Sequence, residues 1–164
     1  MAKEIKIKYQ GKGFWIYPDF IELLSQYICS RFETNELNTY NERLRNVYDD
    51  CDANRKGSRI GMVGFLFDDD IQNSTDKNTF IGVLQETKND IAALGSELSI
   101  SALNEFESNK SDDYFKSPWA LPVKTQSLIG TIDIIIDLLN GNLQYDNYLI
   151  NYQGYPVIPG SIIV

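Results

Sequence analysis

The apolar side chains of the first thirty residues are spaced in a way that predicts a hairpin followed by a helix. Lysine alternates with apolar residues from Lys3 to Tyr9, which is the period of a strand with one solvated face. Gly11 and Gly13 then mark a turn. A helix is predicted to begin near Pro18, which suits a first helical turn. Its apolar positions recur every three or four residues and are Phe20, Leu23, Leu24, Tyr27 and Ile28.

Four later stretches repeat the helical spacing. An apolar stripe over residues 37–51 predicts a second helix, and Gly57 supplies its stop. Residues 80–94 and 99–106 predict a third helix and a short fourth one. Residues 121–139 predict a fifth helix with one wide apolar face, which we expect to lie at the centre of the fold.

Two other stretches predict strands. Residues 60–67 (IGMVGFLF) are too short for most helices and too apolar for an exposed edge, so we expect a buried strand that ends in a loop at the following aspartates. Residues 143–164 are rich in Tyr and Ile and contain turn residues, which predicts two or three strands late in the chain. Residues 107–118 are predicted to be a polar loop.

These elements predict an α+β fold in a single domain over residues 1–164. Four or five helices would pack on a small, mainly antiparallel sheet of N-terminal, central and C-terminal strands. A chain of 164 residues is long enough to bury a sizeable core, and its 43% hydrophobic content is ordinary for globular proteins.

Composition indicates a protein of the cytoplasm. The first ten residues carry lysines in place of the apolar segment of a secretory signal. The longest apolar run, residues 128–139, is interrupted by Asp133 and Asp137 and is too short to span a membrane. Cys29 and Cys51 lie within helical patterns, so both are expected to be buried thiols.

Negative charge is concentrated in the later part of the chain. Residues 1–59 hold 10 basic and 9 acidic side chains, net +1, whereas residues 60–164 hold 5 and 14, net −9. Such a field repels nucleic acid and anionic membranes and attracts cationic proteins. A basic protein is therefore the expected partner, with no direct binding of nucleic acid or membrane.

The chain contains no histidine, which removes the usual activation of serine and cysteine nucleophiles and the commonest general base. Two cysteines alone cannot form a structural zinc site, and no nucleotide-binding motif occurs, so no cofactor is expected. Carboxylate chemistry stays open, because Asp68, Asp69 and Asp70 with Asp133 and Asp137 have the oxygen ligands of a Mg²⁺ site.

Two groups of residues are candidates for partner binding. Aspartates in polar segments can meet a partner's Lys or Arg, and late tyrosines offer the large amphipathic side chains found in recognition surfaces. The predicted partner-binding residues are Asp68, Asp69, Asp70, Asp112, Asp113, Tyr145, Tyr148 and Tyr152. For the tyrosines, packing within strands is the alternative.

Residues 6–33, KIKYQGKGFWIYPDFIELLSQYICSRFE, followed by an acidic remainder of single-domain size, resemble immunity proteins of bacterial contact-dependent growth inhibition systems. The resemblance is to the group that neutralises metal-dependent DNase toxins. It implies a cytoplasmic inhibitor that binds the C-terminal nuclease domain of its cognate toxin. In some members of the family, a toxin β-hairpin is accepted beside the inhibitor's sheet.

We therefore expect a binding protein and not an enzyme. Late strands are the expected sheet edge for the partner, with backbone pairing for affinity and charge for specificity. Two alternatives remain open at this point: a carboxylate-based, Mg²⁺-dependent enzyme, and a subunit of a cytoplasmic assembly whose tyrosine-rich end is buried against a fixed partner.

Overall fold

The computed structural model describes residues 3–57, 63–111, 113 and 116–164. Helices in these residues are α1 (Pro18–Thr34), α2 (Glu42–Lys56), α3 (Phe67–Asp70), α4 (Ser74–Ala92), α5 (Ile100–Ser108) and α6 (Thr125–Leu139). Strands are β1 (Ile5–Tyr9), β2 (Lys12–Ile16), β3 (Glu97–Leu98), β4 (Val123–Lys124), β5 (Leu149–Asn151) and β6 (Ser161–Ile163). A short 3₁₀ helix, Leu37–Thr39, precedes α2.

The strands form one larger sheet and one small one. β1, β2, β5 and β6 lie side by side in that order, and β3 pairs with β4. β1 and β2 are antiparallel, whereas β5 is parallel to both β2 and β6. The predicted α+β class is confirmed, but the expectation of a mainly antiparallel sheet is wrong. Strand direction depends on the connection, and the long helical stretch between β2 and β5 permits a parallel pairing that a short turn does not.

The predicted N-terminal hairpin is confirmed as β1 and β2. Its turn consists of Gln10 and Gly11, with φ of 50° and 80°, and two positive φ angles are typical of the tight turn that matches the twist of a hairpin. Gly13 follows in β2, where a Cβ atom would lie 2.3 Å from the carbonyl oxygen of Ile7. Only glycine allows the two strands to approach this closely.

Helix α1 starts immediately after the hairpin and is buried on more than one side. Pro18 occupies its first turn, as predicted, and nine of its 17 residues are buried. It packs against α2 and α4, and α6 in turn packs against α4. Ten of the 15 residues of α6 are buried, which confirms its predicted central position. Among the described residues, no helix has both the length and the apolar character needed to cross a membrane.

The remaining helix predictions also hold. Gly57 ends α2 in the left-handed conformation, although α2 begins at Glu42, five residues after the predicted start. Helices α4 and α5 lie where the apolar spacing predicts them, with α4 starting six residues earlier than predicted, and α6 begins at Thr125 and not at residue 121. Cys29 and Cys51 are both buried and free. Burial, together with a hydrogen bond to Cys29, raises the pKa of the Cys51 thiol.

The strand predicted at residues 60–67 is wrong where the structure can test it. Its first three residues lie outside the described residues, the next ones form no strand, and the last one begins α3. Side chains of α2 bind the backbone here instead. Asn54 pairs with both the N–H and the carbonyl of Gly64, at 3.1 and 2.9 Å, and Asp50 accepts a hydrogen bond from the Leu66 N–H. These bonds satisfy backbone groups that a strand partner would otherwise use.

The polar loop predicted at residues 107–118 contains a buried ionic cluster. Lys110 is fully buried and forms ion pairs with Glu22 of α1 and Glu107 of α5. The indole N–H of Trp119 donates to Glu107 at 2.9 Å. Burial acts to lower the pKa of Lys110, but its hydrogen bonds to Glu107 and Glu22 outweigh that effect and raise it. The cluster ties Lys110 to α1. Residues 108, 109, 111, 113 and 116–118 are exposed, so the rest of the described segment is the polar loop that the sequence predicts.

We predict that the substitution Lys110→Met destabilises the protein by about 3 to 5 kcal/mol at pH 7, because it leaves two buried carboxylates without their cation. The matched control is Lys116→Met, which removes an ion pair of the same i, i+3 spacing with the exposed Asp113 and should cost less than about 1 kcal/mol. Urea unfolding measures both values. Since the folded pKa of Lys110 is raised, its contribution is present below the usual lysine pKa and disappears as the pH rises through the folded value. Equal losses in the two variants would contradict a buried cluster.

Candidate protein-binding surface

The larger sheet has one face turned to the core and one turned outward. Side chains on the core face are buried and include Ile7, Phe14, Ile16 and Ile150. On the other face, paired positions align four side chains across the strands. We call this set the outer row; it consists of Lys6, Trp15, Leu149 and Ser161.

A turn before β5 is fastened to β2 by hydrogen bonds. The Gly13 N–H donates to the Asp146 carboxylate at 2.9 Å, and the Asn147 N–H donates to the Gly13 carbonyl at 2.7 Å. The Trp15 N–H donates to the Tyr148 carbonyl at 2.8 Å, so β2 is bonded to the turn at two successive outward positions. Lys6 donates from its ammonium group to the Asn147 side chain at 2.5 Å. The tyrosines of this turn are therefore held on a fixed backbone.

Three aromatic side chains are exposed beside this turn. Trp15 is 38% exposed, Tyr145 37% and Tyr148 47%. The two tyrosine rings meet edge to face at 6.2 Å, and the Lys6 ammonium lies 5.8 Å from the centre of the Trp15 ring. A shallow cavity of about 480 Å³ opens at Trp15 and Leu149. Large, rigid aromatic groups beside a polar rim are typical of protein-binding surfaces.

Strand β6 is the edge of the sheet on this side. Val164 directs its backbone toward the β5 side, since its N–H donates to the Asn151 carbonyl and its carbonyl accepts from the Gln153 N–H. Because successive residues of a strand direct their backbone groups to opposite sides, the N–H and carbonyl of Ile163 point away from β5. No strand of the described residues pairs with them on that side. β6 carries no charged side chain, whereas the opposite edge strand, β1, carries Lys6 and Lys8. The late edge is therefore the unguarded one.

Neither family models nor curated proteins nor solved structures match the chain. Its function is therefore inferred from the chemistry of its own surface.

The predicted acidic residues occupy different environments. Asp68 and Asp69 are exposed in α3, where Asp68 accepts a hydrogen bond from the Gln10 N–H at 2.7 Å. Asp70 is buried and accepts from Asn46 at 3.2 Å, so its predicted role in partner binding is wrong. These three aspartates form a helical turn and not the predicted loop, because α3 wraps them against α2 and β1. Asp113 is 92% exposed and paired with Lys116, and Asp112 lies outside the described residues.

The predicted tyrosines divide in the same way. Tyr145 and Tyr148 are exposed on the turn before β5, so they remain candidates for partner binding. Tyr152 is fully buried and stacks on Phe20 at 3.8 Å, with the two rings within 7° of parallel. The assignment of Tyr152 to a binding surface is therefore wrong. Tyr152 lies just after β5, where the chain turns into the core, and its spacing from Tyr148 does not reveal that turn.

The carboxylates considered for a Mg²⁺ site are not brought together. Asp133 pairs with Lys88 at 2.5 Å on the solvated side of α6, and Asp137 is exposed one turn later. No group of three or more potential metal-ligating side chains converges anywhere in the described part of the chain. The five aspartates considered for Mg²⁺ therefore do not form one site in the described structure.

Trp15 is the part of this surface that the sequence patterns did not assign. A late strand was already the expected edge for the partner, and the structure identifies β6 as the late strand at the edge. Trp15 had a detectable pattern: Phe14, Trp15 and Ile16 alternate, so a strand that buries the first and third must expose the tryptophan. No sequence pattern reveals that β6 is the edge strand, because strand order within a sheet depends on long-range packing.

Stability measurements separate the exposed tyrosines from the buried one. We predict that Tyr152→Ala costs about 3 to 5 kcal/mol in the free energy of unfolding, because it removes a fully buried ring. Tyr148→Ala removes a ring that is 47% exposed, and its cost should stay within about 1 kcal/mol. Thermal or urea unfolding of both variants provides the test. Similar losses at the two positions would mean that Tyr148 also belongs to the core.

Proposed function

We propose that the protein is an inhibitor that binds a basic protein, and specifically an immunity protein that neutralises the nuclease domain of its cognate contact-dependent growth inhibition toxin. The observation that carries the proposal is the exposed aromatic group of Trp15, Tyr145 and Tyr148, held on a fixed turn beside an open sheet edge.

The aromatic group supplies the features of a binding hot spot. Trp and Tyr are enriched among residues that dominate binding energy, and a preorganised backbone lowers the entropic cost of association. The hydrogen bonds of Gly13, Trp15 and Lys6 to the turn fix that backbone before any partner arrives. Exposure of such rings on a free protein is best explained by a partner that covers them.

The edge at β6 supplies a second contact of a different kind. No strand of the described residues pairs with the N–H and carbonyl of Ile163, so these groups can bond to an extended segment of a partner. Such strand addition gives affinity through the main chain. Strand β6 is only three residues long and carries no charged side chain. Specificity for one partner therefore comes from the neighbouring groups. This arrangement agrees with the β-hairpin acceptance known in the family that residues 6–33 resemble.

Charge and the location of the resemblance add further support. Residues 60–164 carry a net charge of −9, which attracts the basic surface that a nuclease presents to DNA. Residues 6–33, which carry the resemblance, form most of the β1–β2 hairpin and nearly all of α1, and they include Lys6 and Trp15 of the outer row.

We expect the purified protein to form a stoichiometric complex with the cationic nuclease domain encoded by the neighbouring upstream reading frame, and to suppress its DNA cleavage. Trp15→Ala or Tyr148→Ala should raise the Kd by about 30-fold, which is about 2 kcal/mol, chiefly through faster dissociation. The matched control is Leu94→Ala, because Leu94 is an equally exposed apolar residue at the end of α4. Failure of the parent protein to inhibit that nuclease would remove the proposal, and an equal loss with the Leu94 variant would remove the proposed surface.

The exposed aspartates should act on the rate of encounter. Replacing Asp68, Asp69 and Asp113 by Asn should slow association at low salt and leave dissociation nearly unchanged, since rim charges steer without forming the final contacts. The buried Asp70 stays in place, because its loss would perturb the fold. Stopped-flow or surface-based kinetics at two salt concentrations measure the effect. Unchanged association at low salt would locate these aspartates outside the encounter surface.

A further inference from the structure

A second concave site lies where α1 begins. A cavity of about 260 Å³ opens between the first turn of α1, the segment at residues 117–121, and Tyr155. Its walls include Tyr17, Phe20, Trp119 and Tyr155, and one carboxylate, that of Asp19, lies among them. None of these residues belongs to the outer row or to the β6 edge.

The aromatic walls form one connected group around Phe20. The ring of Tyr155 meets Phe20 at 5.1 Å and nearly at a right angle, Trp119 lies 6.0 Å away, and Tyr17 lies 6.4 Å away. The Tyr155 hydroxyl donates to the Leu121 carbonyl at 3.4 Å, which ties one wall to the rim. The walls are therefore braced by mutual contacts.

The carboxylate of Asp19 has no hydrogen bond or ion pair within the described residues, although the side chain is only partly exposed. Lys110, the cation whose charge acts on Asp19, forms ion pairs with Glu22 and Glu107. Burial raises the pKa of Asp19, with the charge of Lys110 opposing the rise and that of Glu107 adding to it. This region of the described protein thus holds three carboxylates and one ammonium group.

Tyr155 and Trp119 connect this charge to the cavity walls. Asp19 and Tyr155 line the same cavity, and burial together with the charge of Asp19 raises the pKa of Tyr155 to about 12. Trp119 donates its indole N–H to Glu107 at 2.9 Å. The excess negative charge therefore acts within the aromatic cavity itself.

This chemistry selects a cation. An anion would be repelled, and a neutral apolar group would bury Asp19 without a partner, at the cost of desolvating a charge. A cation pairs with the carboxylate and also gains from contact with aromatic rings. The planar guanidinium of arginine suits both contacts better than a lysine ammonium, because it stacks on aromatic rings and pairs with carboxylates through two donors.

The size and rim of the cavity point to a side chain and not to a free small molecule. Its 260 Å³ is below the range of about 300 to 1,000 Å³ that is usual for drug-sized ligands. Around its mouth, Pro118, Ala120 and Leu121 are exposed. Such a rim can contact the residues that flank an arginine in a protein.

We propose that this cavity receives an arginine side chain of a basic protein partner, with Asp19 pairing the guanidinium between the rings of Tyr17, Trp119 and Tyr155. The inference deepens the proposed function, because it names a contact by which a cationic nuclease domain is held. It is also testable without that nuclease.

Fluorescence gives a local readout, because the chain has two tryptophans and Trp15→Phe leaves only Trp119, at the cavity. The probes are capped pentapeptides with a central Arg flanked by Leu, the same peptide with citrulline as the neutral isostere, and free ethylguanidinium. We expect saturable changes in Trp119 emission with the arginine peptide and at least about tenfold weaker binding of the citrulline peptide, because only the arginine retains the charge–carboxylate pair. Free ethylguanidinium should bind more weakly than the arginine peptide, since it makes no contact with the rim.

Asp19→Asn, made in the Trp15→Phe background, should lower the affinity for the arginine peptide by at least about tenfold. Its matched control is Asp137→Asn, which makes the same change of charge at an exposed position of α6 and should stay within about twofold. Equal binding of both peptides, an unaffected Asp19 variant, or an equal loss with the control would overturn the cation site. Binding of free ethylguanidinium as tight as that of the peptide would overturn the protein side chain as its occupant. If the peptide results hold and the neighbouring nuclease is not inhibited, the arginine site stands and nuclease inhibition fails.

Discussion

The stack of Phe20 on Tyr152 joins the beginning of the fold to its end. Phe20 lies in the first turn of α1, immediately after β2, and Tyr152 directly follows β5. Their rings are 3.8 Å apart and buried, so the contact holds the late strand beside the early one. A hydrogen bond between Thr131 of α6 and the Tyr152 hydroxyl, at 3.3 Å, satisfies that buried polar group and draws α6 into the same arrangement. The end of β5, the central helix and one wall of the aromatic cavity therefore meet at this contact.

Local patterns predicted most of the fold, and long-range packing decided the rest. The hairpin and five helices follow from alternation, three- and four-residue spacing, and stop residues such as Gly57, all of which act within a few residues. The features that local patterns did not reveal depend on contacts between residues distant in sequence. Asn54 forms hydrogen bonds with Gly64 in place of a strand partner. Lys110 is buried because it pairs with Glu22, which lies far away in sequence. Within the candidate site, the sequence predicted Tyr145 and Tyr148. It did not predict the burial of Tyr152, because that burial depends on the distant Phe20 and no local pattern reveals the contact.

The outer row and the aromatic cavity meet at one short junction. Trp15 belongs to the former and Tyr17 to the latter, and two residues of extended chain span at most about 7 Å. The two proposed sites are therefore neighbours along the chain. If one partner covers both, apolar contact, strand addition and charge pairing contribute to one interface, and such a combination gives both affinity and discrimination among related partners.

The parallel pairing of β2 with β5 sets the order in which the molecule folds. Trp15 is opposite Leu149, so the sheet cannot form until the chain has closed a loop that includes every helix. Helices α1 and α2 are close in sequence and pack directly, so they are able to associate early, whereas β5 and β6 dock last. Until then the β2 edge is unpaired, which makes the incompletely folded chain prone to aggregation at the same strand that carries Trp15 of the proposed binding surface.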